Sequence, residues 1–396
     1  MCYNPICIWD FFVIYEKYTT NYLQKILFPF ITGCNTNLEF QIKLNIIFMK
    51  KIEIFFVAFL LAIVSISCKK EVKDDDVKKE IAWNPVNIHG QLKVKGRYLC
   101  NEKGDTITLR GVSFGWHNLW PRFYNAKALK WLKDDWKCSV FRAAMGIHLE
   151  DNYLDNPEFA LGCIETVVQA AIDEGTYIII DWHAHDFYPE QAKAFFGSMA
   201  RKYGKYPNVM YELFNEPTDD HFWPEVKAYS EELIAEIRKY DPDNIILVGT
   251  PSWDQHVDIA AEDPIVGYEN IMYTFHFYAA SHKEKERARL IKAIDMGLPV
   301  FVTESAGCEH TGDGYLDIEE WTKWVKFLEE KRISWVNWSI SNKNETCSMI
   351  LPRGSYEGGW DTSLIKPSGR QSREFIRFYN TTDKAYENIT HENIIK

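Results

Sequence analysis

Asn208-Val209-Met210-Tyr211-Glu212-Leu213-Phe214-Asn215-Glu216-Pro217 is the stretch that decides the fold. Residues 209–214 form a β-rich run with little alternation, the pattern of a parallel strand covered on both faces. The run ends abruptly in Asn215 and Glu216. Pro217 has no N–H and restricts the residue before it, so the Glu216 carboxylate is expected at a fixed place on the rim of a sheet or barrel. Downstream, Pro299-Val300-Phe301-Val302-Thr303-Glu304 repeats the design: an apolar strand closed by a glutamate.

Outward from these two strands, apolar runs alternate with helix-periodic ones. Strands are expected at 108–112, 139–143, 177–181, 209–214, 244–248, 271–275, 299–303 and 334–338, with helices over 126–136, 159–174, 190–203 and 222–240 among those between. Eight strands at roughly thirty-residue spacing predict the α/β class and a (β/α)8 TIM barrel forming a single catalytic domain. A doubly wound open sheet has the same alternation. No GxGxxG or GxxxxGK loop follows the first strand, which argues against nucleotide binding.

Composition narrows the partners. The 396-residue chain carries a formal net charge of -11, which opposes nucleic acid and anionic lipid surfaces. A neutral polymer is compatible with that charge. Aromatic residues make up 15%, with 14 Trp, a supply that suits stacking on sugar faces, although most large aromatics fill core. Cys100, Cys138, Cys163, Cys308 and Cys347 lie in the expected folded body without CxxC or metal-finger spacing. They read as mostly buried thiols, with one pairing left open.

The N-terminal region divides by composition. Residues 1–48 have no clean periodicity and read as an upstream translated or non-native segment. Met49-Lys50-Lys51 and the apolar run 54–66 read as a signal peptide. That segment, 49–68, ends in Val64-Ser65-Ile66-Ser67-Cys68 and resembles a lipoprotein signal, with Cys68 as the lipidated residue. A simple cleaved signal or a membrane anchor are the alternatives on the same stretch, and all three export the chain. Residues 69–82 are a charged flexible linker, 83–380 the catalytic domain and 381–396 a C-terminal tail. The expected location is the bacterial outer membrane, contacted only through the lipid, and the expected state is a monomer.

In a (β/α)8 barrel the chemistry comes from C-terminal strand ends. Read that way, the ends offer Arg142, His183, Asn215 with Glu216, His276 with Tyr278, Glu304, and Trp338. Cleaving an acetal with retention needs an ionised carboxylate close to a protonated one. Glu304 is the expected nucleophile, kept ionised by hydrogen bonds from Arg142 and Tyr278. Glu216 is the expected general acid/base, its pKa raised by burial and by the charge of Glu304. Asn215 is placed to hold a sugar 2-hydroxyl, and His183 and His276 to position the network. His183, His185 and His276 form a rival metal set, but no HExxH or Cys/His cluster supports it, and neither metal nor cofactor is expected.

Arg142, Asp181-Trp182-His183, Asn215-Glu216-Pro217, His276-Phe277-Tyr278, Thr303-Glu304 and Trp338, in this order, resemble glycoside hydrolase family 5. The likeness spans about residues 87–378. The flanks His89-Gly90-Gln91-Leu92, Leu109-Arg110-Gly111-Val112-Ser113 and Trp338-Ser339-Ile340-Ser341-Asn342-Lys343-Asn344-Glu345 look like its bacterial endoglucanase (cellulase) subfamily. The resemblance implies a retaining endo-β-1,4-glucanase acting on cellulose-like or mixed-linkage β-glucan. It also implies stacking platforms at Trp120, Trp253 and Trp338, with Trp116 and Trp360 as further candidates, and glycan contacts from Lys343 and Glu345. One departure is Ser305-Ala306-Gly307-Cys308, where many relatives carry an aromatic and then glycine. A β-mannanase or xyloglucanase on the same frame is the alternative within the enzyme class. A surface glycan-binding lipoprotein that does not cut is the alternative outside it.

Overall fold

The computed structural model describes residues 83–383, so the expectations for 1–82, Cys68 included, and for 384–396 lie outside the described residues. A short helix (Pro85–His89) leads into an antiparallel hairpin, β1 (Lys93–Lys95) and β2 (Tyr98–Cys100). The apolar runs then become β3 (Arg110–Phe114), β4 (Val140–Gly146), β5 (Tyr177–His183) and β6 (Val209–Glu212). β7 (Ile246–Val248), β8 (Ile271–Tyr278), β9 (Val300–Ala306) and β10 (Trp335–Ile340) complete the set. Each pairs in parallel with the next, and β10 returns to β3, closing an eight-stranded barrel. The chain is therefore a closed (β/α)8 barrel and not an open sheet.

Two apolar layers hold it. The barrel interior is floored by Val140, Tyr177, Ile179, Met210, Leu247, Met272, Phe301 and Val336, all buried. The outward faces of the strands pack against the helices in a larger core that includes Trp182, Tyr211, Phe275, Trp321 and Trp324. Burying side chains of this size contributes about 1.5–3 kcal/mol each. Helix ends carry ordinary stop and start signals: Asn156 caps Pro157–Glu174 by accepting from the Phe159 N–H, Pro157 occupies the first turn, and Gly175 at φ 69° terminates it. Among the described residues, no helix is long and apolar enough to cross a membrane.

The boundaries differ from the sequence reading in one systematic way. Most strands run further toward their C-terminal ends than their apolar stretches, so His183, His276, Tyr278 and Glu304 lie inside strands and not beyond them. β6 ends early, at Glu212, and β7 starts late, at Ile246. The single helix expected over 126–136 is also divided. Ala126–Trp131 is α-helical, and Leu132–Trp136 opens into a wider π turn that ends on Lys137 at φ 63° and buries Trp136. All five cysteines of the body are free and buried, so the pairing left open is not made.

Candidate active site

Side chains on a strand alternate between faces, so the residue two positions after each floor residue also points into the barrel. From Val140, Ile179, Met210 and Phe301 that step reaches Arg142, Asp181, Glu212 and Thr303. These four form a buried polar layer directly above the apolar floor. Its hub is Arg142. Nε donates to Glu212 Oε2 at 2.7 Å and Nη2 to Glu212 Oε1 at 3.2 Å, a two-pronged pairing. Nη2 also donates to Asn215 Oδ1 at 2.6 Å and lies 3.0 Å from Asp181 Oδ2, while Nη1 donates to Glu304 Oε2 at 3.0 Å. A guanidinium suits this role because its planar donors reach several acceptors at once. Glu212 and Asp181 are functional-layer residues that the reading of strand ends passed over. The period-two step from the apolar floor is the signal that finds them.

Glu304 sits above this layer, where the β8–β9 register shifts between Thr274 and His276. Its second oxygen accepts from the Tyr278 hydroxyl at 2.5 Å. Burial, then the Glu304 charge, pushes the Tyr278 phenol well above its usual value, so it remains a donor. Glu216 follows β6 on the rim. Its Oε1 lies 2.9 Å from His276 Nδ1, and oxygens of Glu216 and Glu304 approach within 4.8 Å. Asn215 uses its carbonyl on Arg142, which leaves the amide NH2 as the group to offer a ligand.

The proton distribution differs from the sequence expectation. Burial pushes the Glu216 carboxyl up, but the hydrogen bond and charge of His276 outweigh it and hold the group below the usual carboxylate range. Burial and the Glu216 charge hold Glu304 above that range, against His276, Arg142 and Tyr278. The sharing partner is His276. Burial lowers its pKa, yet Asp254, Glu212, Glu216 and Glu304 overcome this and raise it well above the usual value, which favours the protonated ring. His183 is the opposite case: burial and then Arg142 hold it well below, and its Nδ1 pairs with Asp181 Oδ2 at 2.7 Å as a neutral ring.

Trp338 stacks on His183 with centroids 5.3 Å apart and planes 7° off parallel, and Trp116 meets the same ring edge-on at 4.7 Å. Trp338 and Trp116 therefore belong to the cleft around His183. Trp360 does not: it is buried against Phe123 and Trp136. Trp120 is partly buried against the main core, under Gly115, where any Cβ would meet its ring at 2.7 Å. Trp253 is 40% exposed, and its backbone N–H donates to Pro217 O at 2.8 Å, next to Glu216 in the chain. Lys343 Nζ pairs with Glu345 Oε2 at 2.5 Å on the loop after β10. In place of the aromatic expected after Glu304, Ala306 and Cys308 pack with Tyr278, Trp338 and Cys347. His183, His185 and His276 are not a converging set; among the described residues the groups whose ligand atoms converge are Glu212/Asp254/His276 and Glu216/His276/Glu304.

Comparison with known proteins places this geometry. Residues 100–344 match the cellulase family, glycosyl hydrolase family 5. An endoglucanase of Clostridium saccharobutylicum is 39% identical over 344 residues, covering 85% of this chain and 75% of that one. Endoglucanase A of Evansella cellulosilytica is 38% identical over 336 residues, covering 83% and 67%. Among solved structures, a Cytophaga hutchinsonii protein superposes with a TM-score of 0.74 at 45% identity, over 75% of this chain and 97% of that one. A Thermobifida fusca endoglucanase catalytic domain in complex with cellotetraose superposes with a TM-score of 0.71 at 34% identity, over 74% and 99%.

Proposed function

The chain belongs to glycosyl hydrolase family 5, and from that premise we propose that it is a retaining endo-β-1,4-glucanase acting on internal bonds of cellulose-like or mixed-linkage β-glucan. The observation that carries the retaining mechanism is the approach of Glu216 and Glu304 oxygens to within 4.8 Å. Inverting enzymes hold their carboxyls about 6.5–9.5 Å apart to admit a water, whereas retaining ones keep them about 5–5.5 Å apart. The relatives named endoglucanase and the similar domain bound to cellotetraose support the choice of substrate.

The roles follow from the hydrogen bonds. Glu304 is the nucleophile: one oxygen is held by Arg142 and the other by Tyr278, donors that favour the carboxylate and fix its direction. Glu216 is the general acid/base. The imidazolium of His276 supplies its proton along the 2.9 Å Nδ1 to Oε1 contact, and Glu216 passes it to the leaving glycosidic oxygen. In the second half-reaction Glu216 takes a proton from water, which attacks the glycosyl-Glu304 ester. The Asn215 amide NH2 is aimed at the 2-hydroxyl, a contact that strengthens toward the oxocarbenium ion. Trp338 offers a hydrophobic platform beside the neutral His183.

The test is reducing-end release from barley β-glucan, carboxymethylcellulose, glucomannan and xyloglucan, with Glu304→Gln alongside. Activity on the two glucans and a loss on the order of 10³-fold or more in the variant are expected. Activity confined to glucomannan or xyloglucan, or a variant that keeps a tenth of its rate, contradicts the proposal. We also propose that the protein is exported by residues 49–68, anchored through a lipid on Cys68 and monomeric. The support for export is the positive start, apolar run and small residues before Cys68. Palmitate labelling in a bacterial host that disappears in Cys68→Ser is expected, and an unlabelled wild type rejects the anchor.

A further inference from the structure

Asp254 belongs to none of the motifs so far used, and the backbone takes an unfavourable course to bury it. Ser252, Trp253 and Asp254 follow one another at φ 59°, 54° and 58°. Three successive left-handed residues without a glycine are rare for L side chains and persist only where surroundings over-determine them. The run turns Trp253 outward and Asp254 inward to complete burial. Its Oδ1 accepts from the Thr250 N–H. Oδ2 is buried without a hydrogen bond and lies 3.4 Å from His276 Nε2.

The hydrogens on His276 can be assigned from its neighbours. Thr303 Oγ1 donates to Glu212 Oε1 at 2.7 Å, so toward His276 Nε2, at 2.9 Å, it accepts. Nε2 therefore carries a hydrogen. Nδ1 faces Glu216 Oε1 across a contact that holds one more proton. The groups facing the ring are Glu212 and Glu216 from the end of β6, Asp254 from beyond β7 and Glu304 from β9. Arg142 on β4 and, on β5, Asp181 and the neutral ring of His183 lie further round the same site.

Resting on the glucanase reading, we propose that Asp254 is a positioning residue of the reaction: through His276 it retains the proton that Glu216 delivers to the leaving group. Burial holds the Asp254 carboxyl above its usual range against the charge of His276, and its Oδ2, 3.4 Å from Nε2, faces the side of the ring away from Glu216 together with Glu212 Oε1 at 3.7 Å. Without it the Nδ1 proton is lost at lower pH, and acid catalysis fails earlier on the alkaline side. Bond cleavage that needs no proton is spared.

The experiment compares wild type, Asp254→Asn and Asp254→Glu on cello-oligosaccharides and on 2,4-dinitrophenyl β-cellobioside, whose leaving group needs no acid. For wild type the alkaline limb of kcat/KM is expected above neutral pH. Asp254→Asn should move it down by about one pH unit, about a tenfold loss beyond the limb, with the dinitrophenyl rate within about twofold of wild type. Asp254→Glu should restore the limb. An unmoved limb, or equal losses on both substrates at every pH, overturns the proposal. A wild type inactive on both would reject the glucanase reading instead. Histidine 15N NMR of the wild type decides the question if neither variant folds: one imidazolium persisting at pH 8 is expected, and none overturns it.

Discussion

Arg142 does two jobs with one guanidinium, and a substitution separates them. It orients Glu304 at 3.0 Å and neutralises Glu212 and Asp181, which are fully buried. Arg142→Met leaves those carboxyls without their cation, and losing one partner of a buried pair costs about 3–5 kcal/mol. Urea denaturation at pH 7 should show a destabilisation of that size; less than about 1 kcal/mol would mean that Arg142 serves orientation alone. At this scale the sequence was legible where a polar residue closed an apolar run, as Glu216 and Glu304 do. Glu212, Asp181 and Asp254 were not read from it. Glu212 and Asp181 lie inside strands where only the face alternation reveals them, and Asp254 reaches His276 through a left-handed backbone run that no local pattern announces. The direction of the Glu216 shift was missed for the same reason, because it depends on His276 arriving from a strand sixty residues away.

Among the elements, β7 and the chain beyond β6 show how tightly the rim is fitted. Gly249 follows β7 directly, and a Cβ there would lie 2.5 Å from Phe214 O and 3.1 Å from Pro217 Cδ. Backbone cannot give way as a flexible side chain can, so Gly249→Ala must displace the segment that carries Asn215 and Glu216. A fall in kcat of at least tenfold, with KM changed less, is expected from a displacement of this kind. Unchanged kcat in a variant with unchanged melting temperature would show that the segment is looser than its contacts imply. The existence and order of all eight barrel strands were legible from apolar runs. Their C-terminal ends were not, because hydrogen bonding to neighbouring strands extends β5, β8 and β9 through His183, His276 and Glu304, residues whose polarity resembles a loop. Helix starts such as Pro157 and Pro189 were placed within two residues.

For the molecule as a whole, the closed barrel gathers one side chain or a few from most strands onto one rim, and this turns separate sequence signals into a site. Charge and composition argued against nucleic acid as a partner and were compatible with a neutral polymer. Trp338 was legible as a cleft residue because it lies at the end of an apolar run, and Trp360, kept only as a candidate, is core because core and cleft tryptophans have the same local sequence character. The central claim concerns two carboxyls and the stereochemistry that their separation dictates. The measurement that tests it most directly is 1H NMR of the anomeric protons during the first minutes of cellopentaose hydrolysis, before mutarotation equilibrates the new reducing ends. With Glu216 and Glu304 oxygens within 4.8 Å, double displacement requires the β-anomer to appear first. Initial release of the α-anomer would contradict it.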